Sequence, residues 1–456
     1  MPTAFLPAAF LLGSASGMAY RGVMNAPDLA AVARPVVWAP KPPPAAARGL
    51  CTDCGLSRTA MARECGTACQ FTVPNYPALE AQVHGRARDA ARPDELHFGP
   101  MQGMFRARLR TPLEGAQWTG ITTRLAERLL ERGEVDAVLC MAPDPGDAWK
   151  PMPVIVTKPE GMAACRGMRM GYAPLLSLIE PALAAGYRRL AVIGIPCQIY
   201  ALRSIEAQLK REHGLQSLTV IGTPCSDNTT TANFHAFLER IGHYIDADPA
   251  SITYLEFRAD YHVELRFADG RVRAIPFLQL PLSELPADFF PLTCRTCVDY
   301  TNVLADVTVG YMGGTGQQWV LVRNARGQAV LDGLGDELLL EAPASAGKRA
   351  GPVKGFLANV ERAAGGLPLR KMPNWLRPIV GWLMPRIGPR GLEFARARVE
   401  MKACETIVHL RREHPRRLRH MVPGHVWALV AAYGLRPADD ERVAQSGVDA
   451  ASQAAE

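Results

Sequence analysis

Two apolar segments of this chain run into the same four-residue turn, Gly-x-Pro-Cys, and this repetition constrains the fold more than any other feature. Residues 190–195 (LAVIGI) lead into Cys197 and residues 218–222 (LTVIG) lead into Cys225, with a helical pattern over residues 200–212 between them. Buried apolar strands joined through a helix are typical of a parallel βαβ unit. Because the carboxyl ends of such strands meet at one edge of a sheet, we expect the two cysteines to lie together.

The middle of the chain continues this alternation of strand and helix patterns. Residues 262–277 alternate apolar and polar side chains on both sides of a turn at residues 268–271, which is typical of a β-hairpin. The sequence therefore predicts an α/β fold with a mixed, largely parallel sheet, a β-hairpin region and a helical C-terminal extension. The other predicted strands and helices cover residues 125–132, 135–141, 174–185, 306–310 and 319–323.

The 456 residues predict two or three structural units. Residues 1–49 are rich in Ala and Pro and predict a poorly ordered arm. Residues 50–100 carry closely spaced cysteines with little apolar periodicity and predict a small module held by metal bonds. Residues 101–345 form the predicted catalytic domain, and residues 346–456 form a basic, partly helical extension.

Eight of the eleven cysteines fall into two groups of four. One group comprises Cys197 and Cys225 with the later pair Cys294-x2-Cys297, which we expect to meet at the sheet edge. The other is local in sequence, and its four thiolates are enough for one iron-sulfur cluster or one tetrahedral zinc. We favour a cluster because its second pair is not a CxxC knuckle, although zinc stays open. The local group is Cys51, Cys54, Cys65 and Cys69.

Clusters carry single electrons, whereas most organic reductions need two, so a flavin is expected between cluster and substrate. The chain has no GxGxxG fingerprint after a strand. The segment Gly115 to Gly120 (GAQWTG), at the start of a predicted helix, is a candidate for contact with an anionic or polar cofactor edge, although the bare pattern favours an ordinary glycine-rich helix start. Its candidate contacts are Gln117, Trp118, Thr119 and Gly120.

The formal charge of +7 is modest, and no aromatic-interleaved basic motif accompanies it, so nucleic acid is not an expected partner. An acidic protein or an anionic membrane is the better expectation, and an ordinary solvated face stays open. Apolar residues at 375–383 beside arginines allow peripheral membrane contact or binding of a pigment tail, but the prolines in this region favour an ordinary packed helix. The uncharged residues 2–20 lack a basic n-region, so we expect a cytoplasmic protein rather than a secreted one.

Four segments resemble the deazaflavin-dependent hydrogenase beta-subunit family, and the match covers roughly residues 50–340. The segments are residues 115–120 (GAQWTG), 196–204 (PCQIYALRS), 222–231 (GTPCSDNTTT) and 294–312 (CRTCVDYTNVLADVTVGYM). Within the family, the longer signature at 299–313 is similar to the members that reduce chlorin pigments. The resemblance implies a ferredoxin-like iron-sulfur module at residues 50–100.

The resemblance also implies the cofactors and the reaction. It implies two [4Fe-4S] clusters, one on each cysteine group, together with FAD and reduced ferredoxin as the electron donor. The implied reaction is reduction of the C8-vinyl group of divinyl (proto)chlorophyllide to ethyl. It adds Thr223, Asn228, Gly310 and Gly313 as cofactor contacts, and the candidate proton donors are Asp227, Asp299, Tyr300 and Tyr311.

Three other functions stay open at this point. A 7-hydroxymethyl chlorophyll reductase would use the same cofactors on another substituent of the ring. A non-catalytic subunit could relay electrons to a partner enzyme. The third alternative is a zinc-stabilised binding module, which would have no redox activity. The spacing between Cys54 and Cys65 also departs from the CxxCxxC run of a bacterial ferredoxin.

Overall fold

The structure is a computed structural model that describes residues 50–258, 260–314, 316–363 and 372–441, and the predicted arm at 1–49 lies outside these residues. Its thirteen helices, apart from short 3-10 turns, are α1 (Tyr76–His84), α2 (Glu95–Phe98), α3 (Ile121–Glu131), α4 (Ile179–Ala184), α5 (Pro196–Glu212), α6 (Thr231–Ile245), α7 (Leu292–Arg295), α8 (Ala325–Asp332), α9 (Ala350–Arg362), α10 (Leu376–Ile387), α11 (Leu392–Glu413), α12 (Pro415–Met421) and α13 (Gly424–Val430).

Thirteen strands accompany these helices in the described ranges. They are β1 (Gly103–Leu109), β2 (Ala137–Asp144), β3 (Asp147–Val156), β4 (Arg189–Gly194), β5 (Ser217–Gly222), β6 (Ile252–Phe257), β7 (His262–Phe267), β8 (Val272–Pro276), β9 (Val307–Gly314), β10 (Gln317–Val322), β11 (Leu338–Glu341), β12 (Ser345–Ala346) and β13 (Arg390–Gly391).

Eight strands form one mixed sheet in the order β11-β1-β10-β9-β5-β4-β2-β3. The central strands β9, β5, β4 and β2 are parallel neighbours, and the flanking pairs are antiparallel. Five of the eight strands, β1, β2, β4, β5 and β9, therefore point the same way. The prediction of a mixed α/β sheet is confirmed. Strands β6, β7 and β8 form a separate antiparallel sheet that contains the predicted hairpin.

The sheet has a hydrophobic core on each of its two faces, because successive side chains along a strand point to opposite faces. Leu190 and Val192 of β4 pack on one face with α5, whereas Ala191 packs on the other with α3. Both faces are therefore covered by helices, as expected for a sheet with a parallel centre.

One edge of the large sheet is β3, which carries Pro151 and Pro153 in its pairing with β2. Proline has no N–H to donate, so in strands it is found at sheet edges with its nitrogen turned away from the ladder. The position of this strand at the edge follows from its sequence.

The cysteine-bearing segment at 50–75 consists of short 3-10 turns, including Leu56–Arg58 and Ala62–Gly66, and it packs on the main core. Leu56 and Met61 are buried together with Ile199 of α5. Gly55 has a φ of 106°, and a Cβ there would lie 2.6 Å from the carbonyl oxygen of Pro174. A ferredoxin-like fold of this segment stays a prediction.

The C-terminal helices form a third core around α11, which contacts the remainder of the chain near the cysteines. Partly buried Cys69, Cys197 and Cys297 pack against this core. No helix within the described residues combines the length and the apolar character that a bilayer-spanning segment requires.

Candidate functional site

The two Gly-x-Pro-Cys turns lie side by side at one edge of the sheet. Strands β4 and β5 pair in register so that Gly194 is opposite Gly222. The backbone N–H of Thr223 donates to the Gly194 carbonyl at 3.0 Å, which joins the two turns. Pro196 begins α5, so Cys197 lies in its first turn, while Cys225 follows β5. The predicted meeting of the two strand ends is confirmed.

Cys294 and Cys297 complete this group from the short helix α7 and the residues after it. Burial raises the pKa of the Cys225 thiol well above its usual range, and the nearby Cys294, Cys197 and Cys297 thiols raise it further. These charge interactions show that the four thiols lie in one region of the protein. The structure therefore brings together four side chains that are spread over 101 residues of sequence.

In the local group, Cys54 lies near the other three cysteines. Burial raises the pKa of Cys54, and the charges of Cys69, Cys65 and Cys51 raise it further. The Cys54 carbonyl accepts a hydrogen bond from the Leu176 N–H at 2.9 Å, which attaches this loop to the main domain. The four thiols of the local group therefore lie in one region, next to the main domain.

The two groups are neighbours. The Cys197 thiol is hydrogen-bonded to the Thr52 side chain, and Cys54 is one of the charges that raise its pKa. Gln70 Nε2 donates to Cys297 Sγ at 3.4 Å, and the Tyr76 hydroxyl donates to Gln70 Oε1 at 2.9 Å. Residues of the N-terminal segment therefore contact both groups of cysteines.

Backbone N–H groups point at two of the sulfurs. The Asp53 N–H donates to Cys51 Sγ at 3.3 Å, and the Asn228 N–H donates to Cys294 Sγ at 3.3 Å. Hydrogen bonds of this kind stabilise negative charge on cluster sulfurs. Within the described residues, no three His, Cys, Asp or Glu side chains are grouped as ligands of a metal ion. Iron-sulfur ligation by either group stays a prediction.

Lys402 of α11 is a buried cation beside the second group, and the sequence analysis did not identify it. Its Nζ donates to Asp227 Oδ1 at 2.8 Å, to Glu405 Oε2 at 3.0 Å and to the Cys294 carbonyl at 2.5 Å. Its charge lowers the pKa of Cys297, which burial raises to about 12. It is one of many basic residues in its region, so nothing local in the sequence distinguishes it.

The segment Gly115 to Gly120 leads into α3 as predicted, and Gly120 precedes the helix with a φ of 89°. The Thr119 hydroxyl accepts from the Leu109 N–H at 3.1 Å and donates to Gln318 Oε1 at 3.2 Å. That hydroxyl is therefore engaged within the protein. Gln117 and Trp118 are partly exposed, and Trp118 has a φ of 50°. Flavin contact by this segment stays a prediction.

A basic loop over residues 166–172 connects this segment to the second cysteine group. Arg166 Nη1 donates to the Glu114 carbonyl at 3.0 Å at one end of the loop. At the other end, Gly171 exchanges hydrogen bonds of 3.1 and 3.0 Å with the Asn228 side chain, and the Tyr172 hydroxyl lies 3.2 Å from Cys294 Sγ. The RGMRMGY sequence of this loop was the missed signal, because it is basic and rich in glycine.

Three of the four candidate proton donors are described with their side chains. Asp227 is paired with Lys402, and Asp299 accepts from the Val303 N–H at 3.1 and 3.2 Å. Burial raises the pKa of Asp299 to about 6, and burial also raises the pKa of Tyr300 above its usual range. The side chain of Tyr311 lies outside the described residues, although its backbone belongs to β9.

The two remaining glycine candidates also lie on β9. A Cβ at Gly310 would be 2.4 Å from Cδ of Pro224, so close approach of the Gly-Thr-Pro-Cys turn accounts for the glycine. The surroundings of Gly313 lie outside the described residues. A cofactor contact at either position stays a prediction.

The fold and the position of the thiols define an α/β protein with cysteines along one edge of its sheet. The chain belongs to the coenzyme F420 hydrogenase/dehydrogenase beta-subunit family. The family's N-terminal domain matches residues 104–180, and its C-terminal domain matches residues 187–346. These domains include the second cysteine group and leave the local group outside.

Two relatives match most of the chain. An uncharacterized protein of Nostoc, all1601, is 37% identical over 390 residues, which is 85% of this chain and 94% of that protein. The chloroplastic 7-hydroxymethyl chlorophyll a reductase of rice is 35% identical over 402 residues, 85% of this chain and 83% of that protein. A chain of the F420-reducing [NiFe] hydrogenase complex of Methanosarcina barkeri superposes with a TM-score of 0.48 and 21% identity, covering 54% of this chain and 84% of that one.

Proposed function

We propose that this protein reduces the C8-vinyl group of divinyl (proto)chlorophyllide to ethyl, with electrons from reduced ferredoxin. The observation that carries the substrate class is the similarity to the rice protein named 7-hydroxymethyl chlorophyll a reductase, which extends over 85% of the chain. The family, whose name describes hydrogenases and dehydrogenases, supports redox chemistry. The choice of the vinyl group rests on the resemblance of residues 222–231 and of the short link at 313–318.

The second cysteine group suits a [4Fe-4S] cluster because four thiols lie in one region beside N–H donors and one buried ammonium. Lys402 supplies the positive charge, and Asn228 and Gln70 donate to sulfur. The local group offers four more thiols next to it. When bound, the clusters carry single electrons and FAD pairs them for the two-electron reduction. We assign one cluster to each group.

The basic loop at 166–172 suits an anionic cofactor edge such as the pyrophosphate of FAD. Among the described residues, the buried Nε atoms of Arg166 and Arg169 have no hydrogen-bond partner. Both lie on the loop between the Gly115 to Gly120 segment and Asn228. We assign this loop, together with Gln117 and Trp118, to flavin binding.

A second candidate is reduction of a 7-hydroxymethyl group, which the name of the rice relative favours directly. Both reactions add two electrons to a substituent of a chlorin, so the same cofactors serve either. The two differ in mass change, because vinyl reduction adds two hydrogens and hydroxymethyl reduction to methyl removes one oxygen.

The test is an anaerobic assay of the purified full chain with reduced ferredoxin and each pigment in turn, read by mass spectrometry. We expect an ethyl product from divinyl protochlorophyllide. Conversion of the 7-hydroxymethyl pigment alone would establish the second candidate. Electron uptake without conversion of either pigment would indicate a relay subunit, and a protein without bound iron and flavin would overturn the proposal.

A matched pair of cysteine variants tests the cluster assignment. Cys294→Ala removes a thiol of the second group, whereas Cys404→Ala removes a buried thiol of α11 that belongs to neither group. We expect Cys294→Ala to lose about half of the bound iron and sulfide and nearly all turnover. Cys404→Ala should keep its iron. Equal iron in the two variants would contradict the assignment.

A further inference from the structure

Helix α10 exposes a row of large apolar side chains to solvent. Trp375, Ile379 and Trp382 have 72%, 52% and 57% of their surface exposed, and Ile387 at the C-terminal end has 59%. At 3.6 residues per turn, positions 375, 379, 382 and 386 lie along one stripe of the helix. We call Trp375, Ile379, Trp382, Arg386 and Ile387 the outward face of α10.

The opposite side of the helix is fixed to the protein, so the outward face cannot rotate inward. A Cβ at Gly381 would lie 2.9 Å from the Gln279 side chain, and buried Arg377 donates to the Leu280 carbonyl at 2.6 Å. Two exposed tryptophans on one anchored helix form an apolar patch of the kind that marks an interaction site.

The segment that contains α10 carries charge of one sign. Between Glu361 and Glu393 the sequence contains six basic residues and no acidic residue. The Arg386 guanidinium lies 4.2 Å from the centre of the Trp382 ring, and Arg390 is exposed beyond the end of the helix. Glu284, a carboxylate from another element, acts on the inward-facing Arg377. The outward face therefore combines apolar and cationic groups.

We propose that the outward face of α10 docks the protein on the surface of an anionic phospholipid bilayer. Tryptophan rings settle at the level of lipid headgroups, and arginines beside them pair with lipid phosphates. The helix lies in the interface with one face immersed and the other on the protein. This inference is independent of the proposed reaction.

Two other occupants suit the patch less well. A small ligand such as a pigment tail is bound in a concave pocket, whereas these side chains project outward from a helix. A second copy of the chain in a symmetric dimer would place the same arginines against each other without a carboxylate on the face to pair with them. An anionic lipid surface matches both the apolar and the cationic groups.

The experiment is co-sedimentation of the full chain with phosphatidylcholine vesicles, with and without phosphatidylglycerol. Wild-type protein should sediment with the anionic vesicles. The double variant Ile379→Ser/Trp382→Ser should partition at least about tenfold less, because two buried apolar side chains are lost. Arg386→Gln/Arg390→Gln should lose the preference for anionic vesicles. Raised salt should weaken binding of the wild-type protein.

The matched control is Val73→Ser/Leu340→Ser, which removes two exposed apolar side chains from other surfaces. It should bind within about twofold of wild type. Equal melting temperatures establish that all variants fold. The proposal is overturned if the wild-type chain stays in the supernatant with both vesicles, or if Ile379→Ser/Trp382→Ser binds like wild type. It is also overturned if that variant converts a wild-type oligomer to monomer, which would make the face a contact between copies.

Discussion

Lys402 is a buried ammonium that pairs with the buried carboxylate of Glu405 and the partly buried carboxylate of Asp227. Replacing it by methionine keeps the length of the side chain and removes the charge that compensates Asp227 and Glu405. We expect Lys402→Met to lower the free energy of unfolding by about 3–5 kcal/mol. Chemical denaturation measures this change.

An exposed pair of the same type provides the control. Lys150 lies 2.9 Å from Asp144 with more than half of its side chain exposed. Lys150→Met should change the free energy of unfolding by about 1 kcal/mol or less. Similar losses in the two variants would contradict the role given to burial at Lys402.

His84 makes stability depend on pH. Burial lowers its pKa to about 3, and the nearby charge of Arg323 lowers it further, although the hydrogen bond of 2.7 Å from Nε2 to the Val303 carbonyl acts in the opposite direction. The unfolded chain binds a proton at this residue below about pH 6.5 and the folded protein does not. Stability from this residue is therefore present at neutral pH and is lost as the pH falls from about 6.5 towards 3.

The variant His84→Gln isolates this effect, because an amide can donate to the same carbonyl without titrating. Between pH 6.5 and 5, we expect the wild-type free energy of unfolding to fall more steeply than that of the variant by up to about 1.4 kcal/mol per pH unit. Equal slopes in denaturation series at several pH values would show that His84 is protonated in the folded protein.

The positions of Cys197 and Cys225 could be predicted from the sequence, whereas the residues that contact the cysteines could not. Cys197 and Cys225 are distinguished by two matching turns, so the sequence alone places them at one sheet edge. Lys402 approaches Asp227 from 175 residues away, and Gln70 approaches Cys297 from 227 residues away. Such contacts depend on how helices pack, which local sequence patterns do not encode.

Strand β9 packs directly against the turn that carries Cys225. Gly310 of this strand is so close to Pro224 that an added methyl group cannot be accommodated without movement. We expect Gly310→Ala to destabilise the protein by about 1–3 kcal/mol and to lower its iron content. Differential scanning calorimetry and iron analysis measure the two effects.

Gly351 of α9 is the control for this substitution, because an added Cβ there meets no atom within 4 Å. Gly351→Ala should be neutral or stabilising by up to about 1 kcal/mol, since alanine favours a helix over glycine. Iron content should be unchanged. If the Gly310→Ala protein is as stable as the Gly351→Ala protein, close contact with Pro224 is not the reason that residue 310 is a glycine.

Apolar periodicity identified the central elements and the hairpin, and it failed where prolines interrupt a strand. Strands β4 and β5 and helix α5 lie within a few residues of their predicted positions. Strand β3 was missed because Pro151 and Pro153 disfavour a strand assignment, yet both are tolerated at a sheet edge. Strand β1 was missed although Arg106 and Arg108 alternate with apolar residues, which is the period-two pattern of a half-buried strand.

For the whole molecule, we expect the folding of the segment at 50–75 to depend on a group bound by its cysteines. It has only short 3-10 turns of its own and few buried apolar residues. If its thiols bind a cluster, removal of iron by a chelator should make this segment more sensitive to protease by about tenfold or more, whereas cleavage at the exposed hairpin turn 268–271 should not change. Limited proteolysis with mass spectrometry identifies the sites.

The prolines of β3 have a consequence for how this protein associates with copies of itself. A strand that joins an open edge must find a row of N–H donors and carbonyl acceptors, and Pro151 and Pro153 withhold two of the donors. The sheet is therefore protected at that end against growth into a shared sheet or a fibril. Replacing both prolines with threonine would restore the two donors, but both positions are buried and the loop at Gly171 packs against Pro151. That loop alone would then have to keep a second strand away from this part of the edge.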